Sequence, residues 1–192
     1  MIKRLLAKIL FGIAISLDKA LDKLDAKARK RSEVKPKTLR RTPLKAPKRI
    51  KIKPDDYEAN NIGKIADGRQ FFLTCPFVPG TKSAPGTEYV ACYIFAAAGE
   101  FISAQIDALG VRGSGTAEKR VMIVEERLKA LGKTRRQSIK IVPFSIIKND
   151  VEFGLIARPP EDPNDAEDHW WIEAQPGNYM AFYPPWDGDY DT

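Results

Sequence analysis

The stretch NIGKIADGRQFFLTCPFV, residues 61–78, decides the fold of this 192-residue chain. Asp67-Gly68 stands between the apolar runs IGKI and RQFFLTC, and an Asp-Gly pair in that position is a strong signal for a β-hairpin. The stretch therefore predicts two antiparallel strands joined by a tight turn. The following segments extend this pattern, since EYVACYIF and EFISAQIDAL read as two more strands separated by a turn at AAAG.

One helix is predicted after this meander. Gly110, Gly113 and Gly115 interrupt the strands, Thr116 is a suitable N-cap, and Gly132 is a suitable C-terminal stop. The apolar residues between them follow helical spacing and predict one buried stripe: Val121, Ile123, Val124, Leu128 and Leu131.

Strands return after the helix. QSIKIVPFSIIKNDVEFGLIAR contains a turn at Asn149-Asp150, and HWWIEAQPGNYMAFYPPW supplies the last strands around Pro176-Gly177-Asn178. An acidic, proline-rich loop at 159–168 separates the two segments. We therefore predict an α+β domain over residues 57–192, with a mostly antiparallel sheet of six to eight strands and one main helix.

Charge divides the chain into two parts. The first 54 residues carry 18 Lys and Arg against 4 Asp and Glu, whereas the remaining 138 carry 14 against 21. A basic arm is thus joined to an acidic body, which indicates an arm that meets lipid, nucleic acid or an acidic protein face. The alternatives are that arm and body attract each other, or that the arm only aids solubility.

Residues 1–33 have the three- and four-residue spacing of an amphipathic helix, in which the predicted membrane-facing residues are Leu5, Leu6, Ile9, Ile13 and Leu17. Lys8 and Asp18 exclude a transmembrane span. A signal peptide is disfavoured because the apolar core 9–16 is short and the only Ala-x-Ala, 26–28, lies far downstream. Two interpretations stay open: a helix at a membrane surface, and a helix that packs on the body or on itself.

Residues 34–56 are predicted to be a disordered basic linker. Residues 34–54 contain four prolines, nine Lys or Arg and no acid, a composition that favours extended chain without a core. Such a segment binds phosphates through charge alone, and beside a membrane helix it strengthens attachment to anionic lipid. The predicted anion contacts of arm and linker are Lys27, Arg29, Lys30, Arg31, Arg40, Arg41, Lys45, Lys48 and Arg49.

The residues that usually carry metal or redox chemistry are scarce. Cys75 and Cys92 are the only cysteines, neither is in a Cys-x-x-Cys pair, and His169 is the only histidine, which excludes most zinc sites. The cysteines lie in apolar, strand-like surroundings and are predicted to be buried thiols, although an exported protein would allow a disulfide between them. We expect neither a metal nor a cofactor.

The C-terminal stretch YPPWDGDYDT places aspartates at 187, 189 and 191. It fails as an EF-hand because Gly188 is misplaced and no glutamate follows at the required distance. We predict a clasp in which Trp186 and Pro184-Pro185 anchor the tail on the sheet and the aspartates lie in solvent. His169 lacks a nucleophile elbow among the nearby serines, and the glycines at 110, 113 and 115 match no phosphate-binding motif. No catalytic residue is predicted.

Aromatic residues are concentrated near the C-terminal end of the chain. Such residues pack cores more often than they bind ligands, but an exposed group of them marks a protein-contact site. The candidate partner surface consists of Trp170, Trp171, Tyr183 and Trp186.

Three segments, DGRQFFLTCPFVPG, PFSIIKNDVEFGLIARP and QPGNYMAFYPPWDGDYDT, carry a resemblance. Through them residues 57–192 resemble uncharacterised bacterial proteins grouped with the formate hydrogenlyase regulatory protein A family. The resemblance implies regulation through protein contacts without catalysis. It does not extend to the basic arm.

The function predicted from these features is that of a non-enzymatic bacterial regulatory or protein-interaction domain. The basic amphipathic arm would tether it to a membrane surface from the cytoplasm. The first alternative is a nucleic-acid-associated protein that grips phosphates with residues 27–53. The second is an unrecognised enzyme that uses Asp187, Asp189 or His169.

Overall fold

The computed structural model describes residues 45–162, 168–177 and 179–192. The chain divides into two units after Thr42, and the described residues belong to the second, Pro43–Thr192. The predicted amphipathic helix at 1–33 and the predicted linker up to residue 44 lie outside the described residues.

Twelve strands and one helix occur in these described ranges. The strands are β1 Ile50–Ile52, β2 Asn61–Ile65, β3 Gln70–Thr74, β4 Phe77–Val78, β5 Thr87–Phe95, β6 Phe101–Val111, β7 Thr134–Arg136, β8 Ile139–Ile141, β9 Phe144–Lys148, β10 Val151–Arg158, β11 Trp171–Gln175 and β12 Ala181–Phe182. The helix, α1, spans Ala117–Leu131.

The predicted hairpin is the centre of a six-stranded sheet. β2 and β3 pair antiparallel around the turn at Asp67-Gly68, and Gly68 has the positive φ that this turn requires. β7 lies beyond β2, while β5 pairs with β3 and then β4 along one edge and with β6 along the other. All five residues of β3 are buried, because this strand is covered on both faces.

Two layers cover this sheet. On one face, Phe71, Leu73 and Val90 form an apolar cluster against which the half-buried side chains of α1 pack. On the other face, the main core joins the six-stranded sheet to a four-stranded sheet, β9 to β12, and to the two-stranded pair β1–β8. The predicted α+β class, mostly antiparallel with a single described helix, is confirmed.

The arrangement of the strands differs from the prediction. We expected one sheet of six to eight strands, whereas the described residues form three sheets. The run 137–158, for example, contributes β8 to one sheet and β9 and β10 to another, with Val142-Pro143 between them. Alternating apolar residues identify strands, but they do not specify which sheet each strand joins.

The predicted disordered linker is wrong at its C-terminal end. Ile50 and Ile52 are completely buried in β1, where they stand opposite Ile141 and Ile139 of β8. The composition of residues 34–54 is dominated by lysine and proline, so it does not reveal the short Ile-Lys-Ile pattern at 50–52. Two fully buried isoleucines are nevertheless enough to hold β1 on the core. The folded unit therefore begins before the predicted boundary at 57.

The helix begins and ends as predicted, but it differs in two details. Val121 is 57% exposed, so the buried stripe consists only of the partly buried Ile123, Val124, Leu128 and Leu131. Thr116 occupies the N-cap position without capping through its side chain. Its hydroxyl donates instead to the carboxylate of Glu88 on β5.

A buried amide connects the sheets. Gln70, only 3% exposed, donates from Nε2 to the carbonyls of Ala96, Ala97 and Lys140, at 3.2, 3.3 and 3.0 Å. Its Oε1 accepts from the backbone N–H of Lys140 at 2.8 Å. One side chain on β3 thus holds both the β5–β6 turn and strand β8.

The same junction requires a glycine. Gly99 in the β5–β6 turn has a φ of +100°, and a Cβ at this position would overlap the carbonyl of Lys140. Its own carbonyl accepts from the N–H of Val142 at 2.9 Å. The turn therefore lies directly against β8, within reach of the Gln70 amide.

We predict that Gln70→Leu lowers the free energy of unfolding by about 2–4 kcal/mol, because it leaves the Lys140 N–H and carbonyl without their partner. Urea denaturation measures this change. Gln105→Leu, at an exposed position of β6, is the matched control and should change stability by less than about 0.5 kcal/mol. Equal stability of the two variants would contradict the role given to Gln70.

Candidate functional site

The C-terminal tail folds back on the body, as the predicted clasp requires. The carbonyl of Trp186 accepts from the N–H of Lys51 at 3.3 Å, and the carbonyl of Gly188 accepts from that of Lys53 at 3.5 Å. Further along, Ala181 and Asp191 exchange two backbone hydrogen bonds of 2.9 Å. Residues 186–188 therefore run along the free edge of β1.

The tail aspartates face solvent, which confirms that part of the prediction. The side chains of Asp187 and Asp189 are 53% and 76% exposed, and Lys53 Nζ lies 2.7 Å from Asp189 Oδ1. His169 is exposed as well, and Ser145 donates to Glu152 at 2.7 Å. Among the described residues, no group of three or more His, Cys, Asp or Glu is placed to hold a metal ion.

Lysines face each other across the two-stranded sheet. Lys51 of β1 and Lys140 of β8 are direct partners in the antiparallel register, and their neighbours Ile50, Ile52, Ile139 and Ile141 point into the core. Like charges at opposed positions repel, and neither ammonium has an ion pair within the part of the chain that the structure describes. An anion bound here would relieve the repulsion.

A groove of about 640 Å³ adjoins this lysine pair. Its lining includes Lys48, Arg49, Lys140 and Trp186, and Arg49 is paired with Glu100 at 2.8 Å. The structure thus brings together two predicted anion contacts, Lys48 and Arg49, with one residue of the predicted aromatic surface. We call Lys48, Lys51, Lys140 and Trp186 the basic face.

The other predicted anion contacts are placed as follows. Lys45 is exposed at the start of the described residues. The rest lie outside the described residues, as do the predicted membrane-facing side chains: Lys27, Arg29, Lys30, Arg31, Arg40 and Arg41, and Leu5, Leu6, Ile9, Ile13 and Leu17. No helix in the described ranges is both long and apolar enough to span a membrane.

The remaining aromatic residues lie near the four-stranded sheet. Trp171 and Tyr183 occupy the positions next to the pair Ile172–Phe182, whose side chains are buried, so both belong to the outer face of that sheet. Trp170 is half-buried just before β11. The same outer face carries Ile147, which is 77% exposed. The candidate partner surface is therefore only partly solvent-accessible.

A second concave site, a cleft of about 370 Å³, lies at one end of the six-stranded sheet. Residues from separate parts of the sequence converge there: the 55–60 turn with the start of β2, the chain from the end of β3 to β4, the start of β5, the chain after β6, and the first turn of α1. No sequence motif links them. The lining residues that matter chemically are Glu58, Cys75, Phe77, Glu88, Arg112 and Arg120.

The wall formed by the 55–60 turn is held from behind. Asp55 Oδ1 accepts from the N–H groups of Tyr57 and Ala59 at 2.8 and 3.0 Å, and Asp55 Oδ2 accepts from the hydroxyl of Tyr190. Arg136 of β7 donates to the carbonyls of Asp55 and Asn60. The C-terminal tail and β7 together fix the position of this wall.

Glu88 is the electrostatic centre of the cleft. Its Oε2 accepts from Thr116 and, at 2.6 Å, from Arg120, while Arg112 Nε lies 3.9 Å from Oε1. The hydrogen bond from Thr116 and the nearby arginines lower the pKa of Glu88 below its ordinary value, so this carboxylate stays ionised. The Arg112 guanidinium also lies over the ring of Phe77, 3.6 Å from its centroid.

Three polar groups of the cleft are not engaged in this way. Burial, with a smaller contribution from Asp55, raises the pKa of Glu58. Burial likewise raises the pKa of the Cys75 thiol, which is not an activated nucleophile. Arg120 Nε is buried without an acceptor among the described residues. The cleft therefore offers a carboxyl, a thiol and a guanidinium as binding groups.

Both cysteines are free thiols in the structure. Cys92 is buried under α1, as predicted, and this burial raises its pKa to about 11. Cys75 is only half-buried, because it lines the cleft, and here the sequence prediction of a buried thiol is only partly correct.

We predict that native protein at pH 8 titrates one thiol with Ellman's reagent, more slowly than a free thiol, and that the second reacts only in urea. Raised pKa values lower the thiolate fraction, to about one in a thousand for Cys92. Cys75→Ser should remove the native reaction. Two thiols that react at equal rates in the native protein would contradict the assigned burial.

Comparison with known proteins leaves the chain without an assigned family. No family model, no curated protein and no solved structure matches it. The resemblance of residues 57–192 to the formate hydrogenlyase regulatory protein A family therefore stays a prediction.

Proposed function

We propose that this protein is a non-catalytic regulatory domain that contacts other proteins while its basic arm holds it on an anionic membrane surface. The observation that carries the proposal is the pair Lys51 and Lys140 on the folded body, which has no ion pair with any described residue and gives the body a positively charged face of its own. The arm supplies apolar residues for insertion, and the basic face supplies charge at the headgroups.

The composition of the basic face supports lipid headgroups as its ligand. Lysines on short strands present point charges without the fork geometry that reads a base edge, and Trp186 beside them is a residue that favours the membrane interface. A half-buried tryptophan is also fixed by the core, against which it packs. The geometry therefore favours a broad anionic surface over a specific sequence of nucleotides.

The protein-contact part of the proposal is supported by the outer face of the four-stranded sheet. Ile147, Trp171 and Tyr183 are placed on this face beside Arg158, which pairs with Glu173 at 2.7 Å and Glu152 at 3.2 Å. Exposed apolar and aromatic groups around ion pairs are typical of protein interfaces. Of the candidate partner surface, Trp171 and Tyr183 lie on this outer face, and we assign the protein contact to this face.

The first test concerns the arm. Leu5→Ser, Ile9→Ser and Ile13→Ser together should weaken binding to phosphatidylserine-containing vesicles by more than about 100-fold, because three apolar side chains no longer enter the lipid. Co-sedimentation of the full-length protein measures it. Binding to duplex DNA should stay unchanged, since it depends on charge.

Wild-type protein that ignores these vesicles but binds DNA with a steep salt dependence would contradict the membrane proposal. It would favour a nucleic-acid-associated protein instead.

The second test concerns the basic face. Lys51→Gln with Lys140→Gln in the full-length protein should weaken vesicle binding roughly 30-fold, since each lysine near an anionic surface contributes about 1 kcal/mol. The same variant should be at least as stable as the wild type, because a cross-strand repulsion is removed.

Lys64→Gln with Lys133→Gln is the control for charge, because it removes two lysines that lie together at the β2–β7 edge of the six-stranded sheet. If both double variants weaken vesicle binding equally, only net charge matters and the basic face has no specific role.

A further inference from the structure

The cleft at the end of the six-stranded sheet has no part in the proposed function, yet it holds unused binding groups. Arg120 Nε is buried and has no acceptor in the described ranges, although the other side of the same guanidinium donates to Glu88. Buried donors without a partner are rare in folded proteins, and each one calls for a ligand or an ordered water. Nε itself has no accessible surface, but the Arg120 side chain as a whole is 39% exposed and lines the cleft, so a ligand there meets the guanidinium from its accessible side.

Arg112 presents a second guanidinium to the same space. It is held flat on the ring of Phe77, and its only ion pair with a described residue is the long 3.9 Å approach of Nε to Glu88. A guanidinium fixed on a ring keeps its outer N–H groups oriented, and such N–H groups match the two oxygens of a carboxylate. Arg112 and Arg120 together provide the hydrogen-bond donors of the cleft.

The part of the cleft wall formed by the 55–60 turn carries Glu58. Its carboxyl forms no hydrogen bond or ion pair with another described residue, and it is half-buried on the turn that Asp55, Tyr190 and Arg136 hold in place. Burial, and to a lesser degree Asp55, raises the pKa of Glu58 while Arg120 opposes this rise, so a cationic group of a ligand would further favour the ionised carboxylate. The wall is fixed before any ligand arrives, which reduces the entropy lost on binding.

The balance of charge decides which ligand suits this site. Arg112 and Arg120 face Glu58 and Glu88, so the four ionisable groups are balanced in sign when both carboxyls are ionised. A ligand with only a negative charge would leave the Glu58 carboxylate without a cationic partner. A ligand with only a positive charge would give the Arg120 guanidinium no further acceptor. A molecule with one positive and one negative group satisfies both ends.

We propose that this cleft binds a small zwitterion of the amino-acid class. Arg112 and Arg120 hold its carboxylate, and Glu58 holds its ammonium group. The cleft volume, about 370 Å³, lies within the range of small-molecule sites. Half-buried Cys75 and the apolar Leu73 line the same cleft and bound the space for a short side chain. The site binds without covalent chemistry.

Isothermal titration of the full-length protein with the common L-amino acids, one at a time, tests this proposal. Acetate and methylammonium serve as probes with a single charge. We expect at least one amino acid to bind, and both single-charge probes to bind more weakly than it. Arg120→Lys, which keeps the charge near Glu88 but removes the planar guanidinium, should weaken amino-acid binding roughly 10-fold to 100-fold.

Glu58→Gln separates the two ends of the site. It should weaken binding of the amino acid and leave acetate binding unchanged or stronger, because only the ammonium contact is lost. Arg69→Lys in the β2–β3 turn, where Arg69 pairs with Asp67 at 2.7 Å, is the matched control and should bind like the wild type. Arg112→Gln replaces Arg120→Lys if the latter does not fold.

The proposal is overturned if no amino acid binds at millimolar concentration. It is also overturned if acetate binds as tightly as the best amino acid, or if the Arg120 and Glu58 variants bind like the wild type. None of these results depends on the arm or on vesicle binding.

Discussion

The amide of Gln70 is a directional contact that joins the six-stranded sheet to the two-stranded sheet β1–β8. Apolar packing between sheets is non-directional and tolerates sliding, whereas an amide with three acceptors and one donor around it has only one position that satisfies them all. The Gln70 amide therefore fixes the position of β8 relative to β3. Because β1 pairs with β8, the Gln70 amide also helps to fix the positions of Lys51 and Lys140 on the basic face.

The sequence predicts the elements of this fold well and their assembly less well. Asp67-Gly68, Asn149-Asp150 and Gly132 mark chain reversals or ends by local chemistry, and each lies where the structure places one. The division into three sheets depends on long-range pairings such as that of β1 with β8. The Ile-Lys-Ile triplet of β1 does not indicate which strand is its partner. The predicted burial of Val121 is wrong for a related reason. Helical spacing identifies the apolar face of α1, but it does not show how much of that face the sheet covers.

The two concave sites show the same limit in different ways. Charge predicts Lys48 and Arg49 as contact residues, and aromatic character predicts Trp186. Only the fold shows that these residues, which lie near opposite ends of the folded unit in sequence, line one groove. The cleft could not be predicted at all, because Glu58, Glu88 and Arg120 form no motif and come from a turn, a strand and a helix. Its clearest signal, a buried guanidinium nitrogen that no described residue accepts from, is visible only in the three-dimensional structure.

The position of β1 has a consequence for biosynthesis. This strand lies between β8 on one side and residues 186–188 on the other, so its two neighbours come from the middle and the end of the chain. During translation β1 leaves the ribosome early, with both edges unpaired and two isoleucines exposed. Contacts of such large sequence separation form slowly, because the entropy of closing the loop comes before the gain from packing. β1 is thus made before both of its neighbours and is fully enclosed only after residues 186–188 have been made.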